Sequence, residues 1–144
     1  MIAIGSDHRG YRVRQQVMKY LKENGYQYKD FGAVDEQPVD YPDIARIVGE
    51  EISKGAAEKG ILICGTGIGV CIAANKVKGI RAAMCYDTFC ALRSRQHNNA
   101  NVLCLPGDVI NIPIEEIVKT FLETGFEGGR HQRRVEKIAE MENC

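Results

Sequence analysis

Three polar segments of the chain carry residue types that could do acid–base chemistry. The first holds Asp7 and His8, the second is Cys64–Gly69, and the third holds His97 and Asn98. Thiols and imidazoles can take up and return a proton near neutral pH when their surroundings adjust them to it. The pattern therefore predicts proton-transfer chemistry, provided that the fold brings these segments together.

The segment Cys64-Gly-Thr-Gly-Ile-Gly69 is a turn of small residues that opens a helix. Its glycine spacing fits neither a dinucleotide fingerprint nor a Walker loop, and Val70 stands where a cysteine phosphatase would need arginine. Free backbone N–H groups in such a turn can hold an anion, although a purely structural turn remains an alternative. Beside a helix N-terminus, Cys64 would be stabilised as thiolate and could serve as a general base; the alternative is an inert, buried cysteine.

The histidines and one basic segment each have two interpretations. His8 follows Asp7 directly, which suits proton transfer or oriented anion binding, and His97 lies near a helix end as either a site residue or a surface residue. The segment Arg130–Arg134 places four potential cations within five residues. It could clamp a phosphate, because arginine binds phosphate with a two-pronged fork, or it could be a solvated basic surface.

Apolar runs alternate with helical periodicity along the whole chain. Strands are predicted at 2–5, 26–31, 60–64, 80–85 and 101–105, with helices between them and a last helix within 128–144. Asp40 and Asp87 are the predicted N-caps of two of these helices. Five strand–helix units predict a single α/β domain over 1–144, a parallel sheet covered on both faces. Ligands bind beyond the carboxyl ends of such strands, so a 2-1-3 strand order would bring the first two polar segments together, and we expect the His97 segment at the same edge.

Composition excludes several classes of protein. Hydrophobic residues make up 44% and charged residues 26% of the 144 residues, and 19 basic residues balance 19 acidic ones. Binding to nucleic acid or to an anionic membrane by bulk charge is therefore not expected. No apolar run approaches a membrane span, and the N-terminus reads as a strand rather than as a signal peptide. The six cysteines form no Cys-x-x-Cys pair and no zinc spacing, which predicts reduced thiols in a cytoplasmic protein without metal or cofactor.

Several segments occur in the order seen in the B-type ribose-5-phosphate isomerases. They include Gly5-Ser-Asp-His8, Asp40-Tyr-Pro42, Gly60–Gly69, Ser94-Arg-Gln-His-Asn98 and Gly128-Gly-Arg-His-Gln132. The sequence resembles this family, which also contains allose-6-phosphate and galactose-6-phosphate isomerases, over nearly its whole length. The resemblance implies a Rossmann-like three-layer α/β/α sandwich with a five-stranded parallel sheet. It also implies a homodimer, with a tetramer as the alternative, and active sites shared between subunits.

The resemblance also implies a role for each matching residue. Cys64 corresponds to the base that moves a proton between C1 and C2, and His97 to the group that opens the furanose ring. The anion hole for the enediolate corresponds to Thr66 and the amides of Gly65, Gly67, Ile68 and Gly69. The ligands of sugar hydroxyls correspond to Asp7, Tyr41 and Asn98. The phosphate ligands correspond to His8, Arg130, His131 and Arg134, some of them reaching in from the partner subunit.

These correspondences predict interconversion of ribose 5-phosphate and ribulose 5-phosphate through an enediolate, with a phosphorylated sugar as the only ligand. The alternatives are the same chemistry on allose 6-phosphate, galactose 6-phosphate or a free aldose. From another class, a non-catalytic sugar-phosphate-binding protein or a thiol-redox protein remains an alternative.

One position departs from the family pattern. Members commonly read Gly-x-Arg-Val after the fifth strand, with the arginine on the phosphate, whereas this chain reads Pro106-Gly-Asp-Val109. A carboxylate near a phosphate would repel it. Asp108 is therefore expected to point away while nearby arginines supply the charge, or to mark a pocket that demands phosphate less strictly. A third alternative is that the shortened loop carries position 108 out of the pocket.

Overall fold

A five-stranded parallel sheet forms the centre of the molecule, with helices on both faces. The structure is a computed structural model that describes residues 1–143, so Cys144 lies outside the described residues. The strands are β1 Ile2–Ser6, β2 Tyr28–Asp30, β3 Lys59–Cys64, β4 Ala82–Met84 and β5 Val102–Pro106. The helices are α1 Tyr11–Glu23, α2 Tyr41–Ser53, α3 Ile68–Ala74, α4 Thr88–Gln96, α5 Ile114–Glu123 and α6 Arg130–Glu140.

The strand order is β2-β1-β3-β5-β4, and all four pairings are parallel. The α/β/α fold and the predicted 2-1-3 order are confirmed. In this order β3 lies between β1 and β5, with Ser6 opposite Ile63 and Cys64 opposite Pro106. The loops that follow these three strands are therefore neighbours at one edge of the sheet, which we call the carboxyl edge.

Successive side chains along β3 and β5 point to opposite faces of the sheet. These strands therefore contribute to two separate hydrophobic cores. On one face Ile61, Ile63 and Leu103 pack with α1, α4 and α5. On the other face Leu62, Cys64 and Cys104 pack with α2 and α3. The central strands are apolar on both sides, as expected for a covered parallel sheet. The thiol of Cys64 therefore lies on the α2 and α3 face.

Three predicted elements are shorter than the periodicity suggested. Strand β2 spans Tyr28–Asp30 instead of residues 26–31. Helix α3 ends at Ala74 rather than near residue 76, because the amide of the following Asn75 pairs with β4. Asn75 Oδ1 accepts from the Ala82 amide at 2.8 Å, and its Nδ2 donates to the Ala82 carbonyl at 3.1 Å. Strand β4 accordingly begins at Ala82 instead of residue 80.

The two predicted aspartate caps behave differently. Asp87 accepts from the Cys90 amide at 2.8 Å and caps α4 as expected. Asp40 occupies the N-cap position of α2, but its side chain makes no capping bond, so only its place in the chain was predicted correctly.

Among the helices of residues 1–143, none is long and apolar enough to cross a membrane.

The backbone after β1 passes so close to β3 that only glycine fits there. A Cβ added at Gly10 would lie 2.6 Å from the Ile63 carbonyl oxygen, whereas at Gly125 nothing lies within 4 Å. We expect Gly10→Ala to destabilise the protein by about 1–3 kcal/mol, as overpacking does. Gly125→Ala, the matched control, should change the free energy of unfolding by less than about 0.5 kcal/mol.

Urea unfolding at one fixed protein concentration measures both effects. Equal midpoints for Gly10→Ala and Gly125→Ala would show that the β1 loop is free to move away from β3.

Candidate active site

The carboxyl edge holds a thiol flanked by two tightly fitted loops. Cys64, the last residue of β3, is 5% exposed. The Gly107 amide donates to the Cys64 carbonyl at 2.8 Å, and the Asp108 amide donates to the Gly65 carbonyl at 3.0 Å. The loops after β3 and β5 are thus fixed to each other by backbone hydrogen bonds. This arrangement leaves the Cys64 thiol at the floor of a rigid turn.

Thr66 and Gly67 shape the turn after Cys64. Gly67 adopts a left-handed conformation at φ +81°, which favours glycine. Thr66 Oγ1 accepts from the Ile68 amide at 3.1 Å, and the Thr66 carbonyl accepts from the Tyr86 hydroxyl at 2.8 Å. The threonine side chain remains exposed at the mouth of the site. Its hydroxyl can therefore meet a ligand above the turn.

Tyr41 lies against the same turn from the start of α2. A Cβ added at Gly69 would lie 2.6 Å from Tyr41 Cε1, so the absence of a side chain at Gly69 admits the ring. Tyr41 is 40% exposed. Tyr41 thus lies against the glycine turn that follows Cys64.

Asp7 and His8 complete the carboxyl edge. Asp7 is buried, and its Oδ1 accepts from the amides of Arg9 at 3.0 Å and Gly10 at 3.1 Å, which holds the loop after β1 in a 3₁₀ turn. His8 Nδ1 accepts from the Val39 amide at 3.3 Å. In the neutral imidazole the proton must then reside on Nε2, which leaves a hydrogen-bond donor for a ligand.

A pocket of about 450 Å³ opens at the carboxyl edge, between the loops that follow β1 and β5. It is lined by His8, Arg9, Arg12, Glu36, Gly107 and Asp108. Arg9 Nε lies 3.1 Å from Asp108 Oδ2, and Arg12 Nε lies 3.6 Å from Glu36 Oε1. Asp108 therefore lines the pocket, which rules out the alternative that the shortened loop carries it away. Its carboxylate faces a guanidinium.

His97 and Asn98 lie at the opposite edge of the sheet, and the expectation that their segment shares the carboxyl edge with Cys64 was wrong. Both follow a helix, α4, and precede β5, so they lie where β5 begins, whereas Cys64 pairs with Pro106, where β5 ends. At about 3.3 Å per residue, the five residues of β5 separate the two edges by about 13 Å.

His97 is the centre of a second polar cluster, formed with His131 and Glu127. The two imidazole rings stack with centroids 4.1 Å apart and planes 10° apart. Glu127 Oε1 lies 3.4 Å from His97 Nε2 and 3.8 Å from His131 Nε2. Burial lowers the pKa of His131, and the neighbouring His97 and Arg130 act in the same direction, while Glu127 opposes them.

Sequence reasoning missed Glu127, and its spacing of four residues from His131 was the available signal. The three side chains offer donor atoms within 4.8 Å of one another, so this group could hold a metal ion. However, a metal in the plane of one imidazole cannot also lie in the plane of a ring stacked parallel to it. The nitrogen lone pairs of the two imidazoles lie in nearly parallel planes. One ring would therefore have to turn before both could bind a tetrahedral metal ion.

The remaining predicted ligands lie near this second cluster. Arg130 and Arg134 are exposed on α6. Asn98 lines a groove of about 640 Å³ together with Ile138 and Met141 of the C-terminal region. The predicted site residues thus form two groups: Asp7, His8, Tyr41 and Cys64–Gly69 at the carboxyl edge, and His97, Asn98, Arg130, His131 and Arg134 at the other.

Comparison with known proteins assigns this constellation to a family. The family model described as Ribose/Galactose Isomerase matches residues 2–138. The chain belongs to this family. Ribose-5-phosphate isomerase B of Escherichia coli is 42% identical to it over 142 residues, covering 98% of this chain and 95% of its own. The resemblance read from the sequence motifs is therefore confirmed, and the chain is an isomerase.

Two further members frame its specificity. The solved structure of ribose-5-phosphate isomerase B from Clostridium thermocellum is 48% identical and superposes with a TM-score of 0.96, covering 99% of this chain and 97% of that one. The D-erythrulose-4-phosphate isomerase of Pectobacterium atrosepticum is 43% identical over 145 residues, covering 99% of this chain and 95% of its own. Members at similar identity are thus named for different sugar phosphates.

The five described cysteines of this isomerase are free thiols in very different environments. A hydrogen bond with Cys104 lowers the pKa of Cys71 to about 7, against the opposing effect of burial. Burial raises the pKa of Cys85 to about 12. Cys90 is exposed on α4, and a hydrogen bond with Asp87 raises its pKa. The pKa of Cys71 therefore lies close to neutral pH.

We expect iodoacetamide to label Cys71 with a midpoint near pH 7, because the thiolate is the reacting form above its pKa. Labelling of Cys90 should require higher pH. Peptide mapping by mass spectrometry across a pH series measures both rates, and Cys104→Ala should move the Cys71 midpoint upward. If Cys71 and Cys90 share one pH profile, the hydrogen bond with Cys104 does not stabilise the Cys71 thiolate.

Proposed function

We propose that this isomerase interconverts D-ribose 5-phosphate and D-ribulose 5-phosphate, with Cys64 as the base and without a metal. The observation that carries the proposal is the placement of the Cys64 thiol beside the Gly-Thr-Gly turn, with the loops of β1 and β5 on either side. Two relatives are named ribose-5-phosphate isomerase B, which supports ribose 5-phosphate as the substrate. Family membership favours this activity over a binding or thiol-redox protein.

The proposed reaction moves one proton between neighbouring carbons. The Cys64 thiolate takes the proton from C2 of the open-chain aldose, and the electron pair of that bond forms the C1–C2 double bond. The carbonyl oxygen on C1 gains negative charge, and the amides of the turn with the Thr66 hydroxyl stabilise it. Return of the proton to C1, with transfer of the O2 hydroxyl proton to O1, gives the ketose.

Two subunits are required to assemble all the proposed groups. His97 is the proposed ring-opening residue. Within one chain it is separated from Cys64 by the length of β5, about 13 Å, which is too far for one sugar phosphate to contact both side chains. A partner copy that presents its His97, Asn98, Arg130, His131 and Arg134 to this chain's carboxyl edge would complete the site. We therefore propose a homodimer with composite sites, which two such dimers could extend to a tetramer.

An apolar surface beside Cys64 supports this assembly. Ile68 and Ile72 of α3, Met84 of β4 and Phe89 of α4 are exposed to between 37% and 62%. Helices α3 and α4 both contact the edge strand β4, and exposed apolar residues grouped around a sheet edge are typical of an interface between subunits. A cytoplasmic location is part of the proposal and is supported by the free thiols, which persist in reducing compartments.

Replacement of the base tests the activity directly. Cys64→Ala should lower turnover of ribose 5-phosphate by at least about 10²–10⁴-fold, because no other group at the carboxyl edge replaces the thiolate. Binding of ribulose 5-phosphate should persist, since the amides of the turn remain. Cys90→Ala, which removes an exposed thiol, should leave turnover unchanged.

The assay should use a panel of ribose 5-phosphate, allose 6-phosphate, galactose 6-phosphate, D-erythrulose 4-phosphate and unphosphorylated ribose. Faster turnover of another member would reassign the substrate and leave the chemistry standing. Near-normal turnover by Cys64→Ala would instead remove the base from the proposal.

Mixed subunits test the composite site. In a heterodimer of Cys64→Ala and His97→Asn chains, one of the two sites combines a wild-type Cys64 with a wild-type His97. At equal mixing with full exchange we expect about a quarter of wild-type activity in the aldose-to-ketose direction. Cys64→Ala mixed with Thr66→Ala is the matched control and should not recover, because both changes fall in the same half of the site. No recovery in the first mixture, with exchange verified by mass spectrometry, would place His97 and Cys64 in the site of one chain.

A further inference from the structure

The pocket at the carboxyl edge contains a cation that the family resemblance did not assign. Arg9 follows His8 in the 3₁₀ turn after β1, and its side chain is 55% exposed within the pocket. Gly65 and Gly107 border it from the loops after β3 and β5: a Cβ at Gly65 would lie 3.2 Å from Arg9 Cδ. The arginine stem is therefore fixed over the entrance to the Cys64 turn.

The ion pair with Asp108 engages one side of the guanidinium. Asp108 Oδ2 lies 3.1 Å from Arg9 Nε, and the same oxygen would lie 2.8 Å from a Cβ at Gly65. A guanidinium carries five N–H donors, and those on its two terminal nitrogens form the fork that binds a phosphate bidentately. A carboxylate held at Nε orients the plane of the group and leaves the terminal nitrogens for a second anion. Asp108 is thus placed where it can orient Arg9.

The other groups of the pocket fit the same ligand. His8 presents its Nε2 donor, because Nδ1 is occupied by the Val39 amide. Arg12 is 88% exposed and pairs with Glu36 at 3.6 Å, a longer contact that solvent screens. Arg9 is therefore the better fixed of the two arginines, and it lies nearer to the turn that holds Cys64.

We propose that Arg9, oriented by Asp108, binds the phosphate of the sugar substrate and determines the preference for phosphorylated sugars. This inference rests on the proposed isomerisation of a phosphosugar and deepens it. The phosphate lies at the end of the substrate remote from the reacting carbons. Binding there contributes equally in the ground state and the transition state, so loss of Arg9 acts on KM rather than on kcat.

Arg9→Ala should raise KM for ribose 5-phosphate at least about tenfold, with kcat within about twofold of wild type. Turnover of unphosphorylated ribose should not change. Arg9→Lys keeps the positive charge but lacks the two-pronged guanidinium, so its KM should lie between those of the wild type and Arg9→Ala. Arg12→Ala should have a smaller effect than Arg9→Ala, and Lys19→Ala on α1, which lies outside the pocket, should have none.

Asp108 provides a second, independent variant. Asp108→Asn retains an oxygen for Arg9 Nε but removes a negative charge, so it should lower KM for ribose 5-phosphate. Asp108→Ala removes the oxygen as well, so the gain should be smaller. Equal effects of the two variants would mean that Asp108 does not orient Arg9.

Calorimetric binding of ribose 5-phosphate to Cys64→Ala, with and without Arg9→Ala, separates this inference from the proposed function. Weaker binding in the double variant supports Arg9 even if the wild-type protein turns over another sugar. Identical dissociation constants and an unchanged KM for Arg9→Ala would overturn the inference while leaving the isomerase activity intact. Circular dichroism confirms that each variant is folded.

Discussion

The parallel direction of all five strands is the constraint on which the rest of the molecule depends. Each loop that follows a strand falls at the carboxyl edge, and each loop that follows a helix falls at the other. Because β3 lies between β1 and β5, three of these loops meet at Cys64. Two glycines, Gly10 and Gly107, allow their backbones to approach to hydrogen-bonding distance, since a Cβ at either position would collide with a neighbouring main chain. The turn is therefore rigid before a ligand arrives, which is the condition for stabilising an oxyanion without reorganisation.

The same constraint divides the chemistry between two places. The proposed proton-transfer site occupies the carboxyl edge, and a stacked histidine pair with its carboxylate occupies the other edge. In a symmetric dimer, the two-fold axis can bring one edge of each chain against the opposite edge of its partner twice over. The proposed composite site thus follows from strand polarity combined with symmetry. Activity and assembly would then be linked through the same surface.

Charge within the carboxyl-edge pocket is balanced rather than concentrated. Two arginines face two carboxylates, and both ion pairs are half or more exposed. Such pairs contribute at most about 1 kcal/mol to stability, so their arrangement is better explained by ligand binding than by folding. Asp108 illustrates the point, because the carboxylate that would repel a phosphate also holds the arginine that would attract one.

Much of this protein was determined by local sequence. Apolar runs and helical periodicity predicted the five strands and the sheet, because the three central strands bury both faces and each helix buries one. The motifs around Cys64 and His97 indicated the family, and the strand order brings the segments of His8 and Cys64 to one edge of the sheet. Strand β4 and the end of α3 were predicted too long, since the pairing of Asn75 with Ala82 depends on a contact distant along the chain.

Only the tertiary structure could decide how those motifs are distributed. Sequence order suggested that His97 joins Cys64, but the direction of α4 carries it to the opposite edge of the sheet. Glu127 escaped notice because its partner His97 is 30 residues away and they meet only through the packing of α4 against the segment before α6. The pairing of Arg9 with Asp108 likewise joins residues that are 99 positions apart in the chain. Local sequence specifies elements through short-range periodicity, whereas the position of a side chain in a site depends on strand order and helix direction, which arise only when the complete sheet is assembled.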